Sequence, residues 1–323
     1  MIYRAEIGQR IRRMQGLAVA TLIAALALTA PASLEAARGG HLLYASHGSL
    51  MSVPAQGGAP RKLAQVPVET LDLAASRDGQ RIALISNRKL RPNGGSVRSI
   101  YLFRPGHGLR RLQQFDSSTP IYIAISPDGR WIAFGRQSEI WLMRASRGGI
   151  HQVTESPSVA WDPAFTPDGQ ALVFDRAATA GLGRGPQLFR QALSGGPEVQ
   201  LSDDEGRQPA VSSTGLLLYT RPGKGAIDSR LIVTPLDGSK RRTVDRYRPP
   251  FVDLSTTFSP DGRSISYLRV WQKDGSGGEH RYSIHTKTID GSEHRKVIGR
   301  LRSSAPRARF GGPAPAGPVW VPW

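Results

Sequence analysis

The sequence predicts an all-β protein, a six-bladed β-propeller, and three observations point to it. A turn phrase recurs along the chain, each copy leads into an apolar strand, and the last residues resemble an inner strand of the repeat. The phrase is clearest as Ser126-Pro127-Asp128-Gly129, ahead of Trp131-Ile132-Ala133-Phe134. It returns as Ser76-Arg77-Asp78-Gly79, Thr166-Pro167-Asp168-Gly169 and Ser259-Pro260-Asp261-Gly262, with a worn copy in Ser213-Thr214-Gly215. The turn glycines 79, 129, 169, 215 and 262 lie 50, 40, 46 and 47 residues apart. A period in the forties with a turn and a strand per copy is the signature of an array of small sheets.

The chemistry of one copy explains why it repeats. Pro at the second turn position presets φ, Asp caps the turn with its side chain, and Gly takes a conformation that other residues resist. Such a turn joins antiparallel strands. The strand that follows is apolar on both faces rather than on alternate residues, so both faces must be covered. A blade pressed between two neighbours meets that requirement.

Each copy continues into a second hairpin with its own Gly-containing turn. Examples are Ile140 to Met143 with Gly148-Gly149, and Leu231 to Val233 with Gly238. A sixth hairpin comes first: Leu50 to Val53, Gly57-Gly58 and Leu63, preceded by a strand from His41 to Tyr44. This opening blade has three strands and lacks its innermost one. After the Pro- and Gly-rich segment 303–317, the sequence Pro318-Val319-Trp320-Val321-Pro322 matches the inner strand Pro163-Ala164-Phe165-Thr166-Pro167. Residues 318–322 are therefore expected to complete the first blade and close the ring, removing free sheet edges.

The N-terminus reads as an export signal. Arg4, Arg10, Arg12 and Arg13 precede an uncharged Leu- and Ala-rich run from Gly16 to Ala30, and Ala30-Pro31-Ala32 fits a cleavage site. The run is shorter than the ~20 residues that span a bilayer. The expected division is a signal peptide over 1–32, a linker over 33–40 and a propeller over 41–323, with no stable membrane insertion once the signal is removed. The alternative is a signal kept as an anchor.

With no cysteine in the chain, disulfides, thiolate metal sites and cysteine-dependent catalysis are excluded. The formal net charge is +18, and removing residues 1–32 leaves +15. Basic residues are scattered over every repeat without the aromatic interleaving of nucleic-acid modules, so no nucleic-acid partner is expected. A basic surface can still attract an anionic envelope polymer.

The run Asp162-Pro163-Ala164-Phe165-Thr166-Pro167-Asp168-Gly169, with its siblings at Ser126 and Ser259, resembles the WD-like repeat of TolB-type six-bladed propellers. Prolyl oligopeptidases and dipeptidyl peptidases share that repeat in their propeller domains. The likeness covers about His41 to Trp323. It implies a periplasmic (or secreted) scaffold that binds an envelope protein or glycan, without a cofactor and as a monomer. TolB proteins carry an α/β domain before the propeller, and here about eight residues separate the signal from the first strand. No Gly-x-Ser-x-Gly elbow is present, so the peptidase reading fails.

Candidate chemistry is sparse. His280, His285 and His294, near Glu279 and Glu293, are the closest histidines. A metal site needs converging ligands, whereas residues five apart on a strand face opposite ways, so solvated loop histidines are the expected reading and no metal is assigned. Some related propellers are metal-dependent polysaccharide lyases, which is the enzyme alternative. One constellation follows from aligning the turns. Four residues before each turn Ser or Thr stand Asp72, Tyr122, Asp162, Gln208 and Ser255, with Gly317 in the sixth blade. This column should form a polar ring at a mouth of the central channel. As a binding surface, Asp72 and Asp162 favour a cationic group or hydrogen-bond donors. As structure, such an Asp caps a turn or braces the next blade. The loops Asn87 to Arg98, Ala177 to Pro186 and Gln272 to Arg281 are further recognition candidates.

Overall fold

Six four-stranded antiparallel sheets make up the fold in the computed structural model, which describes residues 39–89, 96–115, 122–146, 148–155, 158–177, 185–222, 229–246, 251–272, 280–301 and 316–323. The expected signal peptide, and most of the three candidate loops, lie outside these residues. Residues Gly40 to Pro322 form one compact unit. Among the described residues, no helix is long and apolar enough to cross a membrane.

Blades two to six follow one another along the chain, over residues 70–115, 123–152, 160–200, 207–246 and 251–301. Blade one is built from three strands over residues 41–65 and a fourth from the other end of the chain. That fourth strand, Ala316–Val321, pairs antiparallel with His41–Ser46 and sets Leu42 opposite Trp320 and Leu43 opposite Val319. The expected closure is present, with one correction. The strand begins at Ala316 and ends at Val321 rather than covering 318–322, because an irregularity at Gly317-Pro318 lets Ala316 rejoin the ladder.

The turn phrase builds the same network each time. Ser126 Oγ donates to Asp128 Oδ1 at 2.5 Å, Asp128 Oδ1 also accepts from Arg130 N, and Ser126 Oγ accepts from Trp131 N. Equivalent bonds hold the turns at Ser76, Thr166 and Ser259. In the worn copy Ser212 and Thr214 share a hydroxyl bond of 2.9 Å in place of the Ser–Asp contact.

The core lies between blades rather than beneath one sheet. The second strand of blade four, Ala171–Arg176, is buried at every position, and that of blade three is buried at Ile132 to Gly135. Their side chains enter separate clusters: Ile132 and Phe134 pack toward blade two, Ala133 toward blade four. Similar clusters join blades four to five, five to six, and six to one. Each buried Leu, Ile or Phe in these layers contributes ~1.5–3 kcal/mol.

Candidate functional site

The inner strands surround a cavity of about 520 Å³. All six column residues line it: Asp72, Tyr122, Asp162, Gln208, Ser255 and Gly317. At the other end it is bounded by turn residues such as Arg77, Pro127 and Pro260. Four residues of strand separate the two sets, a rise of ~13 Å. The column is thus a ring deep in a funnel whose rim is the turns. Arg77, standing where three sibling turns have Pro, reaches along the rim to donate to Pro167 O at 2.8 Å.

A repeated backbone irregularity presents the ring. In four inner strands two residues oppose one on the second strand: 162 and 163 against Phe174, 208 and 209 against Tyr219, 255 and 256 against Tyr267, 317 and 318 against Tyr44. The column residue is the first of each pair and has positive φ: 47° at Asp162, 53° at Gln208, 52° at Ser255 and 95° at Gly317. A bulge of this kind bends the strand and re-aims a side chain. Each bulge sits over a buried aromatic ring, and Phe174, Tyr219 and Tyr267 are almost fully buried. Gly317 also needs to be small, since a Cβ there would stand 2.7 Å from Leu43 O.

The polar members divide into two kinds. Asp72 is a brace: Oδ1 accepts from its own Leu73 N at 2.8 Å, and Oδ2 accepts from Ile123 N of the next blade at 2.9 Å. Protein surrounds it, and desolvation lifts its pKa to about 7 against the pull of those two bonds. Asp162 instead meets a second carboxyl, Asp175, on the neighbouring strand of its own blade. Desolvation, then the charge of Asp175, holds Asp162 well above the ordinary carboxylate range. Asp175 rises to about 6 by desolvation, partly offset by its hydrogen bond with Asp162. The two carboxyls are hydrogen-bonded to each other and titrate together as a pair, both above the ordinary range. Asp72 and Asp162 are only half-buried by surface exposure, so access from the channel lessens their desolvation. Asp175 Oδ1 is buried without a hydrogen-bond partner.

Tyr122 lies among these groups. Its hydroxyl is raised by desolvation and by the charges of Asp162, Asp175 and Asp72. Arg207 is close enough to lower Asp162, and Arg98 lines the same cavity. The acidic side of the funnel therefore belongs to blades two to four, whereas Gln208, Ser255 and Gly317 form a neutral side. Sequence alignment on the turns found the column and missed Asp175. The available signal was an Asp-Arg pair closing an otherwise apolar strand, Leu172-Val173-Phe174-Asp175-Arg176. Of the two readings given for Asp72, the structure shows the bracing one: both its oxygens accept backbone N–H bonds, one of them from the next blade.

The histidines are corrected in part. His285 is a buried strand residue, and His294, although exposed as expected, lies on the next strand rather than in a loop. They stack 5.1 Å apart, with His285 Nδ1 and His294 Nε2 at 3.0 Å, beside the ring of Tyr267. Strand pairing across the hairpin brings them together, because His294 lies opposite Lys287. His285 is buried, and desolvation, then Arg269, pushes its pKa down to about 3. The side chain of His280 lies outside the described residues. Among the described residues, no group of three or more His, Asp or Glu could hold a metal ion.

No family model matches the chain. Among curated proteins it is similar to a TolB homolog of Chlorobium chlorochromatii, 29% identical over 131 residues, which are 40% of this chain and 28% of that protein. The chain thus spans under a third of the length of that relative. Among solved structures, it resembles TolB of Acinetobacter baumannii (TM-score 0.64, 19% identity, 86% of this chain and 66% of that one). A putative TolB of Agrobacterium tumefaciens follows (TM-score 0.59, 15% identity, 82% and 92%). An oligogalacturonate lyase in complex with manganese is a more distant likeness (TM-score 0.50, 14% identity, 80% and 71%). With the six-sheet ring and its C-terminal closing strand, these similarities identify the chain as a TolB-like six-bladed β-propeller.

Proposed function

We propose that the chain is an exported, non-catalytic binding protein of the bacterial cell envelope, which captures a partner protein through its funnel. The observation that carries this reading is the ring of column residues lining the central cavity, four of them presented by a repeated bulge. A rigid concave site with few convergent polar groups is suited to recognition. The likeness to TolB proteins supports an envelope role. Asp162, backed by Asp175, offers a carboxyl to hydrogen-bond donors or to a cationic side chain. Tyr122, Gln208 and Ser255 add polar contacts around it.

Site-specific photo-cross-linking in cells tests this. A cross-linker at Gln208 should capture a discrete envelope protein, and one at exposed Val199 should not. Asp162→Ala should abolish that capture while the melting temperature stays close to wild type. Equal capture at both positions, or capture unaffected by Asp162→Ala, would remove the funnel from the account. A metal-assisted polysaccharide lyase is the second reading, favoured by the fold likeness to such an enzyme. A stoichiometric divalent ion in the purified protein, lost on replacing His285 and His294, would support it.

A further inference from the structure

Away from the funnel, a second concavity of about 610 Å³ opens between blades two and three on the turn side of the ring. Five arginines line it: Arg81, Arg104, Arg110, Arg130 and Arg144. Among the described residues, no acidic side chain lines it. The nearest carboxylates are Asp78 and Asp128 of the adjoining turns, and each commits Oδ1 to its own turn. Asp128 Oδ2 also lies 3.7 Å from Arg130 Nε. Counting both carboxylates, the cleft keeps an excess of positive charge.

The arginines are held in place from below, leaving most donors unused. Arg81 Nη1 donates to Asp128 O at 3.2 Å, and its stem packs on Gly129, where a Cβ would meet Arg81 Cδ at 2.7 Å. Arg110 Nη2 donates to Ser146 O at 2.9 Å, tying blade two to blade three across the cleft. The Arg144 guanidinium lies 4.9 Å from the ring centre of Trp131. A guanidinium presents five donors in a planar fork, so each of these anchors leaves several free. Two carboxylates beside five guanidinium groups leave like charges that repel, and an anion among them relieves that repulsion.

We infer that this interblade cleft is a binding site for a phosphate-bearing group. Guanidinium forks match phosphate oxygens two at a time, and several forks on one wall suit an anion with more than one phosphate. The site is separate from the funnel, so it stands or falls independently of partner capture there. Its chemistry is shared by free polyphosphates and by the headgroups of anionic lipids.

The test uses full-length protein and two probes at fixed ionic strength: inorganic pyrophosphate by calorimetry, and sedimentation with vesicles containing phosphatidic acid. Two double variants remove equal charge, Arg104→Gln/Arg110→Gln in the cleft and Arg242→Gln/Arg246→Gln in blade five. The cleft variant should weaken binding of at least one probe tenfold or more, and the blade-five variant less than twofold. Binding of pyrophosphate identifies a soluble ligand; binding of vesicles alone identifies a lipid headgroup. Should the cleft variant fold poorly, phenylglyoxal footprinting of wild type decides, with the preferred probe shielding Arg81, Arg104 and Arg110 but not Arg242 or Arg246. Equal loss in both variants, uniform footprinting, or failure of wild type to bind either probe would overturn the site.

Discussion

Two sets of aspartates recur in the same blades and behave in opposite ways. The turn set, Asp78, Asp128 and Asp168, lies at the exposed rim, and each carboxylate accepts hydrogen bonds from a Ser or Thr hydroxyl and a backbone N–H. At Asp78 and Asp128 desolvation is the largest single influence and opposes the charged form, but the hydrogen bonds and a neighbouring arginine together outweigh it; at Asp168 the hydrogen bonds lead, and all three carboxylates lie below the ordinary range. The funnel set, Asp72, Asp162 and Asp175, sits one strand length inward and is raised by desolvation. The same residue is a structural anion at the rim and a proton holder in the channel. A carboxylate held low by its own turn therefore marks the fold, and carboxyls raised by burial mark the candidate site.

The largest expected effect breaks the support beneath the funnel. Phe174→Ala removes a fully buried ring under the Asp162 bulge and should cost ~3–5 kcal/mol of unfolding free energy in a denaturant titration. Next, Gly317→Ala places a Cβ against Leu43 O at positive φ. Its cost should be ~1–3 kcal/mol, read as a lowered denaturation midpoint, whereas alanine at exposed Gly195 lies free of such contact and costs less.

The aspartates then test the comparison itself. Asp128→Ala removes a turn acceptor and should destabilise by ~1 kcal/mol at neutral pH. Because the folded pKa lies below the unfolded 3.8, that contribution is present above 3.8 and fades as pH falls through the folded value. Asp162→Asn should do the reverse. A carboxyl with a raised folded pKa opposes folding increasingly as pH rises from the unfolded 3.8 to the folded value, fully above it, and not at all below 3.8. The variant should melt higher than wild type at pH 8, by a margin on the order of 1 kcal/mol, and match it near pH 4. Asparagine tolerates the left-handed backbone there. A destabilising Asp162→Asn at pH 8 would place Asp162 with the turn set.

The histidine stack adds a pH effect of opposite sign to the funnel. His285 is held neutral by burial, with a folded pKa of about 3 against 6.5 unfolded. Its neutral form is favoured in the fold, so stability falls as pH drops from 6.5 towards 3. Asp245, Arg269, Lys287, Lys296 and His294 surround the group and tune that slope. His285→Gln should flatten the acid limb of a melting-temperature profile.

Most of the ring was legible because its rules are local and repeated. Ser-Pro-Asp-Gly specifies a turn by itself, the apolar strand after it declares two covered faces, and Pro318-Val319-Trp320 matched an inner strand by pattern. The column of Asp72, Tyr122, Asp162, Gln208 and Ser255 followed from counting back from those turns. What escaped depends on contacts between strands. Asp175 becomes significant only when the pleat sets it beside Asp162. Asp72 becomes a brace only when Ile123 of the next blade arrives. The histidines lie nine residues apart, and the hairpin register alone brings them into contact. The cleft arginines come from three strands and two turns of neighbouring blades, so as a sequence they read as scattered basic residues.

The most direct test is a titration of the aspartate carboxyls by carbon-13 NMR on selectively labelled protein. Asp72 is expected to titrate near pH 7 and Asp162 well above the ordinary range, while Asp78, Asp128 and Asp168 titrate below 3.8. If all five titrated together near 3.8, the division between rim and channel would be contradicted, and with it the chemical case for the funnel.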